Sequence, residues 1–333
     1  MLTKRLMVAL ALGSAVTVAC DTRGLAYGDP NSVIAVMSPE LWQEVSESVY
    51  GELEQTITTV RDEKTFTVTY QEPYGDNWPN LRRFLQMLVV GTLSDPWVQE
   101  AIEEADQEIT GPGLYRVREV WSLDQDVTLV VVPESGAAAE LEEHLPAIHA
   151  QLDEEYRSWA SGRMYMSGVD SALADTLSTE AGFSLLLPNV YRWRQADSTF
   201  VFRNDNPDPS ELIREIGVTW RSPAPASLDV EDVLAWRADL AAAHYIEPQA
   251  FVAEGMTVDT VSFAGRTALR IGAQWRNPPD RGWPAGGPLL IRTVTCDTQD
   301  RTYLLDAWLY APGHEKYEYM IQLETLLGTF ECG

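Results

Sequence analysis

Lysine is nearly absent: Lys4, Lys64 and Lys316 are the only three in 333 residues, and all basic residues together number 24 against 50 acidic ones. The resulting formal net charge of −26 excludes a general affinity for nucleic acid, which needs clustered Lys and Arg to release counterions from phosphates. Histidine is scarce as well. His144 and His149 are five apart, on different faces of a helix, and neither they nor His244 and His314 fit H-E-x-x-H. Three cysteines, Cys20, Cys296 and Cys332, form no C-x-x-C. A G-x-S-x-G elbow, an S-x-x-K pair and a P-loop are missing, and Gly111-Pro112-Gly113 lacks the third glycine of a dinucleotide fingerprint. Asp205, Asp208 and Glu211 share one turn but lack the glycine and terminal glutamate of a calcium loop. No cofactor, no metal and no catalytic residue is expected. No apolar run reaches the about 20 residues that cross a hydrocarbon core.

What is present is globular: 45% hydrophobic and 10% aromatic residues, with 22 Gly and 19 Pro spread along the chain. A chain of this length usually forms two cores rather than one.

Lys4 and Arg5 precede a thirteen-residue apolar run, Leu6 to Val18, which reads as a signal peptide over residues 1–19. Thr17-Val18-Ala19-Cys20 resembles a bacterial lipobox, with Thr17 where Leu is usual. Cys20 is then the lipid anchor, since two or three acyl chains hold a protein at a membrane where one does not. Cleavage removes two bases and no acid, taking the charge from −26 to −28. Residues 20–31, with little apolar content, are expected to be a tether.

An N-terminal α/β domain is expected over residues 32–165. Val33 to Met37 has strand length; Ser38 then offers an N-cap, Pro39 a first helical residue, and Leu41, Trp42, Val45, Val49 and Leu53 a helical stripe. Strands at Phe66–Tyr70, Met87–Val90, Leu114–Trp121 and Val127–Val132 alternate with helical patterns. The longest pattern carries Leu141, Leu145, Ile148, Leu152, Tyr156 and Trp159, and Pro146 should kink or divide it. Residues 166–182 lack strong periodicity and are expected to be a linker. From 183 to 333 strands dominate, at Phe183–Leu187, Phe200–Arg203, Glu215–Arg221, Val258–Phe263, Ala268–Trp275, Leu289–Cys296 and Thr302–Tyr310, with one helix around Val233 and another around Leu323. The expectation is an α+β protein of two domains, an N-terminal α/β layer and a C-terminal antiparallel sheet covered by two helices.

Trp-Arg pairs occur at Trp193, Trp220, Trp236 and Trp275; in a strand they put an indole inward and a guanidinium outward. Trp283 differs, because it lies in the Pro- and Gly-rich loop Asn277 to Gly287, a candidate binding loop. With Cys20 acylated, Cys296 and Cys332 form an even pair in an oxidising compartment. The strand ending at Cys296, the returning strand and a terminal helix of comparable rise bring both cysteines to one end of the layer, so a disulfide is expected.

Several stretches resemble the uncharacterised bacterial envelope lipoprotein family catalogued as domain of unknown function 4837. They are Val33-Ile34-Ala35-Val36-Met37 with Leu41-Trp42, Gln71-Glu72-Pro73, Phe183 to Tyr191, Trp275-Arg276 with Gly286-Gly287-Pro288, and Tyr310-Ala311-Pro312 leading to Gln322-Leu323-Glu324. They run in order along nearly the whole mature chain. The resemblance implies a lipid-anchored envelope protein and supplies no activity. Glu72, Trp275, Arg276, Gly286 and Gly287, with Trp283, are the candidate ligand-binding residues. The C-terminal half also looks like the PsbP/Mog1-type α/β/α sandwich, a likeness of fold only. The function expected is a non-catalytic binding or assembly module at the bacterial envelope, meeting the membrane through its lipid and a protein or glycan partner. The alternative is a hydrolase acting on peptide or glycan in a cleft between the domains.

Overall fold

The computed structural model describes residues 23–333; the apolar leader and Cys20 lie outside the described residues. The chain runs β1 (Ser32–Val36), α1 (Pro39–Leu53), a hairpin of β2 (Thr56–Thr58) and β3 (Asp62–Lys64), β4 (Thr67–Gln71), α2 (Trp78–Leu81), β5 (Gln86–Gly91), α3 (Pro96–Glu103), β6 (Gly113–Arg118), β7 (Asp126–Val131) and α4 (Ala137–Met164). Ser38 starts α1 as its sequence suggests, its hydroxyl accepting from the Leu41 amide at 3.3 Å. The first sheet has the order β4-β1-β5-β7-β6, parallel except for β6. Val45 and Val49 of α1 pack with Leu141, Leu145 and Ile148 of α4 on one face; Trp78, Val98 and Ala101 of α2 and α3 cover the other. Cover on both faces is why every residue of β5 is buried and its sequence is an apolar run without alternation.

Two segments, residues 24–31 and the expected linker, depart from their sequence reading. Residues 24–31 are docked rather than free: the Ala26 amide donates to the Leu123 carbonyl at 2.8 Å and the Tyr27 carbonyl accepts from the Leu85 amide at 2.8 Å. Helix α4 passes Pro146 undivided. The expected linker is helical, with α5 (Ser171–Thr176) capped by Asp170, whose carboxylate accepts from the Leu173 amide at 2.9 Å. Leu173, Leu177 and Ala181 are four apart and buried in the core that follows; the Asp, Thr, Ser and Glu between them dilute the stripe.

The chain continues through β8 (Phe183–Ser184), β9 (Arg192–Ala196), β10 (Thr199–Asn204), β11 (Ile213–Arg221), α6 (Val230–His244), β12 (Ala250–Phe263), β13 (Arg266–Arg276), β14 (Gly286–Cys296), β15 (Arg301–Tyr310), α7 (Tyr317–Gly328) and β16 (Glu331–Cys332). Seven of these strands form an antiparallel sheet of order β12-β13-β14-β15-β11-β10-β9. Helix α6 covers one face through Val233, Trp236 and Leu240; α7 and the α5 segment cover the other. The expected strand from Phe183 shortens to two residues, paired with β16. Cys296 and Cys332 form the disulfide, with Cα atoms 5.9 Å apart.

Two features of packing matter later. Helix α7 serves both cores: Tyr317 and Ile321 belong to the cluster of the first sheet, and Leu323, Leu326 and Leu327 to that of the second. Beneath α6 lies a buried polar layer. Arg203 meets Glu215 Oε2 at 2.9 Å and Glu247 through both Nη atoms at 2.9 Å. Asp306 Oδ2 accepts from Arg237 Nε at 3.0 Å and from the Tyr245 hydroxyl at 2.8 Å. Gly217 makes room for that hydroxyl, since a Cβ there would come within 2.4 Å of it. Arg237 is thus buried in a helix, unlike the solvated arginine expected of a Trp-Arg pair.

Candidate functional site

Between the β2–β3 hairpin and the large sheet lies a cleft of about 420 Å³. Gly272, Ala273, Leu289 and Leu290 form its floor, Ile57 and Thr59 one wall, and Tyr317, Met320, Ile321 and Glu324 of α7 another. The hairpin is held there by one buried ion pair. Lys316 Nζ lies 2.9 Å from Glu63 Oε1, while Glu63 Oε2 accepts from the Lys316 amide at 2.5 Å. Burying two charges is costly unless further hydrogen bonds satisfy them, and the Lys316 ammonium also donates to the His314 carbonyl at 3.1 Å.

Three guanidiniums converge on Glu324 at the cleft's rim: Arg157 Nη1 at 3.1 Å from Oε2, with Arg270 Nη2 at 3.2 Å and Arg292 Nη2 at 3.5 Å from Oε1. Burial works against the Arg157 charge, but the hydrogen bond and charge of Asp153 overcome it and raise its pKa. For Arg292 burial prevails, aided by the like charge of Arg270, and the pKa is lowered although Glu324 opposes it. The arrangement pairs an apolar floor with a rim of fixed charges. It suits a ligand or peptide with an apolar body and a polar end.

Of the candidate residues read from sequence, Trp275 and Arg276 pair with Gly287 and Gly286 across β13 and β14, and Trp283 lies in the loop joining those strands, whereas Glu72 lies apart on the other sheet. Trp275 is buried, its indole N–H donating to the Leu309 carbonyl at 3.1 Å, and it is closed to a ligand. Arg276 is exposed at the end of β13. Gly286 and Gly287 are needed for backbone approach: a Cβ would stand 2.8 Å from the Trp275 carbonyl oxygen at the first and 1.7 Å from that of Leu309 at the second. Trp283 is 48% exposed and packs edge-on against Tyr310 at 5.0 Å. Its neighbours Pro284, Ala285 and Gly286 line a smaller cavity of about 230 Å³ with Val60 and Arg61 of the hairpin turn. Glu72 follows β4, the outer strand of the other sheet, and does not join them. Arg157, Arg270 and Glu324 were not legible as a site, because their elements, α4, β13 and α7, are far apart in sequence.

No curated protein matches the chain. Among solved structures, the Ran-binding protein Mog1p of Saccharomyces cerevisiae is 12% identical over 45% of this chain and 90% of its own, with a TM-score of 0.31. LpqN of Mycobacterium tuberculosis, described as involved in cell envelope biogenesis, is 9% identical over 45% of this chain and 82% of its own, with a TM-score of 0.29. The stretches Val33–Met37 and Gln71-Glu72-Pro73, which share in the resemblance noted above, lie outside the span of the family match. That match covers residues 170–329, from the start of α5 to the end of α7, and the family is the Domain of unknown function (DUF4837).

Proposed function

We propose that this protein is a lipid-anchored binding or assembly module of the bacterial envelope that takes an apolar segment of a partner into the cleft between hairpin and sheet. The observation that carries the reading is the makeup of the cleft: an apolar floor, with the rim carboxylate Glu324 held by Arg157, Arg270 and Arg292. A carboxylate held in place by three guanidiniums is a good fixed recognition point. Attachment through Cys20 rests on the leader sequence, and the envelope location follows from that attachment.

The test is a pull-down from solubilised membranes with the full-length protein and with Thr257→Arg, which places a long charged side chain in the cleft. A partner retained by the natural protein and lost by the variant is expected; identical recovery from both refutes the cleft as the binding site. Separately, Cys20→Ser should move the protein from membrane to soluble fractions, and unchanged fractionation would refute the anchor.

A further inference from the structure

A second cavity, of about 650 Å³, lies where β5 and β7 begin, beside α4. Nothing in the preceding reading uses it. Four carboxylates line it, Asp124, Asp126, Glu154 and Glu155, against two guanidiniums, Arg116 and Arg118, so its wall carries an excess of negative charge. Both guanidiniums are already engaged. Arg116 Nη2 stands 2.9 Å from Asp126 Oδ1 and 2.9 Å from Glu155 Oε1, and Arg118 Nε stands 3.4 Å from the same Asp126 oxygen.

Two buried acceptors in this wall have no donor among the described residues. The Glu155 side chain is 7% exposed; its Oε1 serves Arg116 and the Gln151 amide, but Oε2 has no hydrogen-bond partner among the described residues. Gln86, 6% exposed, likewise leaves its Oε1 unpartnered. Unmade hydrogen bonds of this kind are unfavourable, most of all for a charged group. What both oxygens lack is a donor, and what the wall lacks is positive charge. Tyr156 and Trp159 supply an apolar side, their rings stacked at 5.7 Å and 14°.

We propose that this cavity binds a primary ammonium group on an apolar stem, with the ammonium bonded to Glu155 Oε2 and Gln86 Oε1 and the stem against Trp159. A primary ammonium offers three N–H donors from one small cation, enough for both orphan acceptors. The electrostatic setting agrees: burial, and then the neighbouring charge of Asp126, raise the pKa of Glu155 against the opposing pull of Arg116 and of the Gln151 and Gln86 amides. A ligand cation would reverse that imbalance.

The experiment is calorimetric titration of the full-length protein with hexylammonium, with 1-hexanol as the uncharged match. Saturable binding of the amine and none of the alcohol is expected. Glu155→Gln should weaken binding by about tenfold or more, as loss of a charge-assisted hydrogen bond implies. Should that variant fail to fold, Arg118→Gln keeps the proposal open to refutation. The Arg118 side chain is 67% exposed, and removing its charge should tighten amine binding by about two- to threefold. Equal binding of hexanol would mean an apolar cavity only; that result, an absence of saturable amine binding, or variants with unchanged affinity would each overturn the assignment.

Discussion

Glu215→Gln should remove a pH dependence of stability that runs against the usual direction for a carboxylate. The Glu215 side chain is fully buried; one oxygen accepts from Arg203 and the other, Oε1, has no partner among the described residues. Arg203 is shared with Glu247 and Asp205, so a single guanidinium answers three carboxylates. Burial outweighs that share and pushes Glu215 from 4.5 up to about 7. The folded state therefore holds this proton more tightly than the unfolded chain does. Its contribution is fully present below the unfolded value and is lost as pH rises through the folded one. At about 1.4 kcal/mol per pH unit, the loss between about pH 5 and about pH 8 is about 3 kcal/mol. Urea unfolding across that range measures it. Molar salt should be present, because it shortens the Debye length to about 3 Å and silences the long-range repulsion of a strongly acidic protein. The natural protein should lose unfolding free energy as pH rises, and Glu215→Gln should give a flatter line. Parallel slopes would refute the reasoning, whatever the absolute stabilities.

Three further outcomes are expected. Reducing Cys296–Cys332, which are 36 residues apart, should lower stability by about 4 kcal/mol on the chain-entropy model, read as a shift in urea midpoint; an unchanged midpoint would contradict it. Gly287→Ala, whose Cβ would sit 1.7 Å from the Leu309 oxygen, should cost about 3 kcal/mol or more by parting β14 from its neighbours, and a melting temperature like that of the natural protein would show that the strand yields freely. Lys316→Met removes the buried ammonium beside Glu63, leaving it the residue-316 amide and Arg61 Nε at 3.5 Å, and should cost about 3 kcal/mol, whereas a loss below about 1 kcal/mol would mean that Arg61 or water takes over the carboxylate.

Legibility followed the strength of local signals. The β1–α1 unit, the fully buried β5 and the long central strands announce themselves by cap, length and apolar run, and the disulfide follows from strand and helix rise. Strand β9 gives no such signal: all five of its residues are exposed, and it is held by edge pairing with β10. The β2–β3 hairpin has three residues on each side and is fixed by Glu63 meeting a lysine 253 positions later. The same distance in sequence hides the cleft. Its rim is assembled from α4, β13, β14 and α7, so no window of sequence contains it. Trp275 and the Gly286-Gly287 pair are visible in the sequence as unusual, and in the structure they sit where three strands pack closely.

The division of α7 between two cores sets an order of assembly. Synthesis delivers the chain from its N-terminus, and domains usually fold as they emerge. Here the first sheet is complete by Val131, yet its apolar cluster includes Tyr317 and Ile321, contributed by the last helix. The N-terminal layer lacks these two side chains until about 190 further residues have been made. A fragment ending after α4 should accordingly be sticky rather than folded, and the last helix is the point at which a nascent chain commits to its native form.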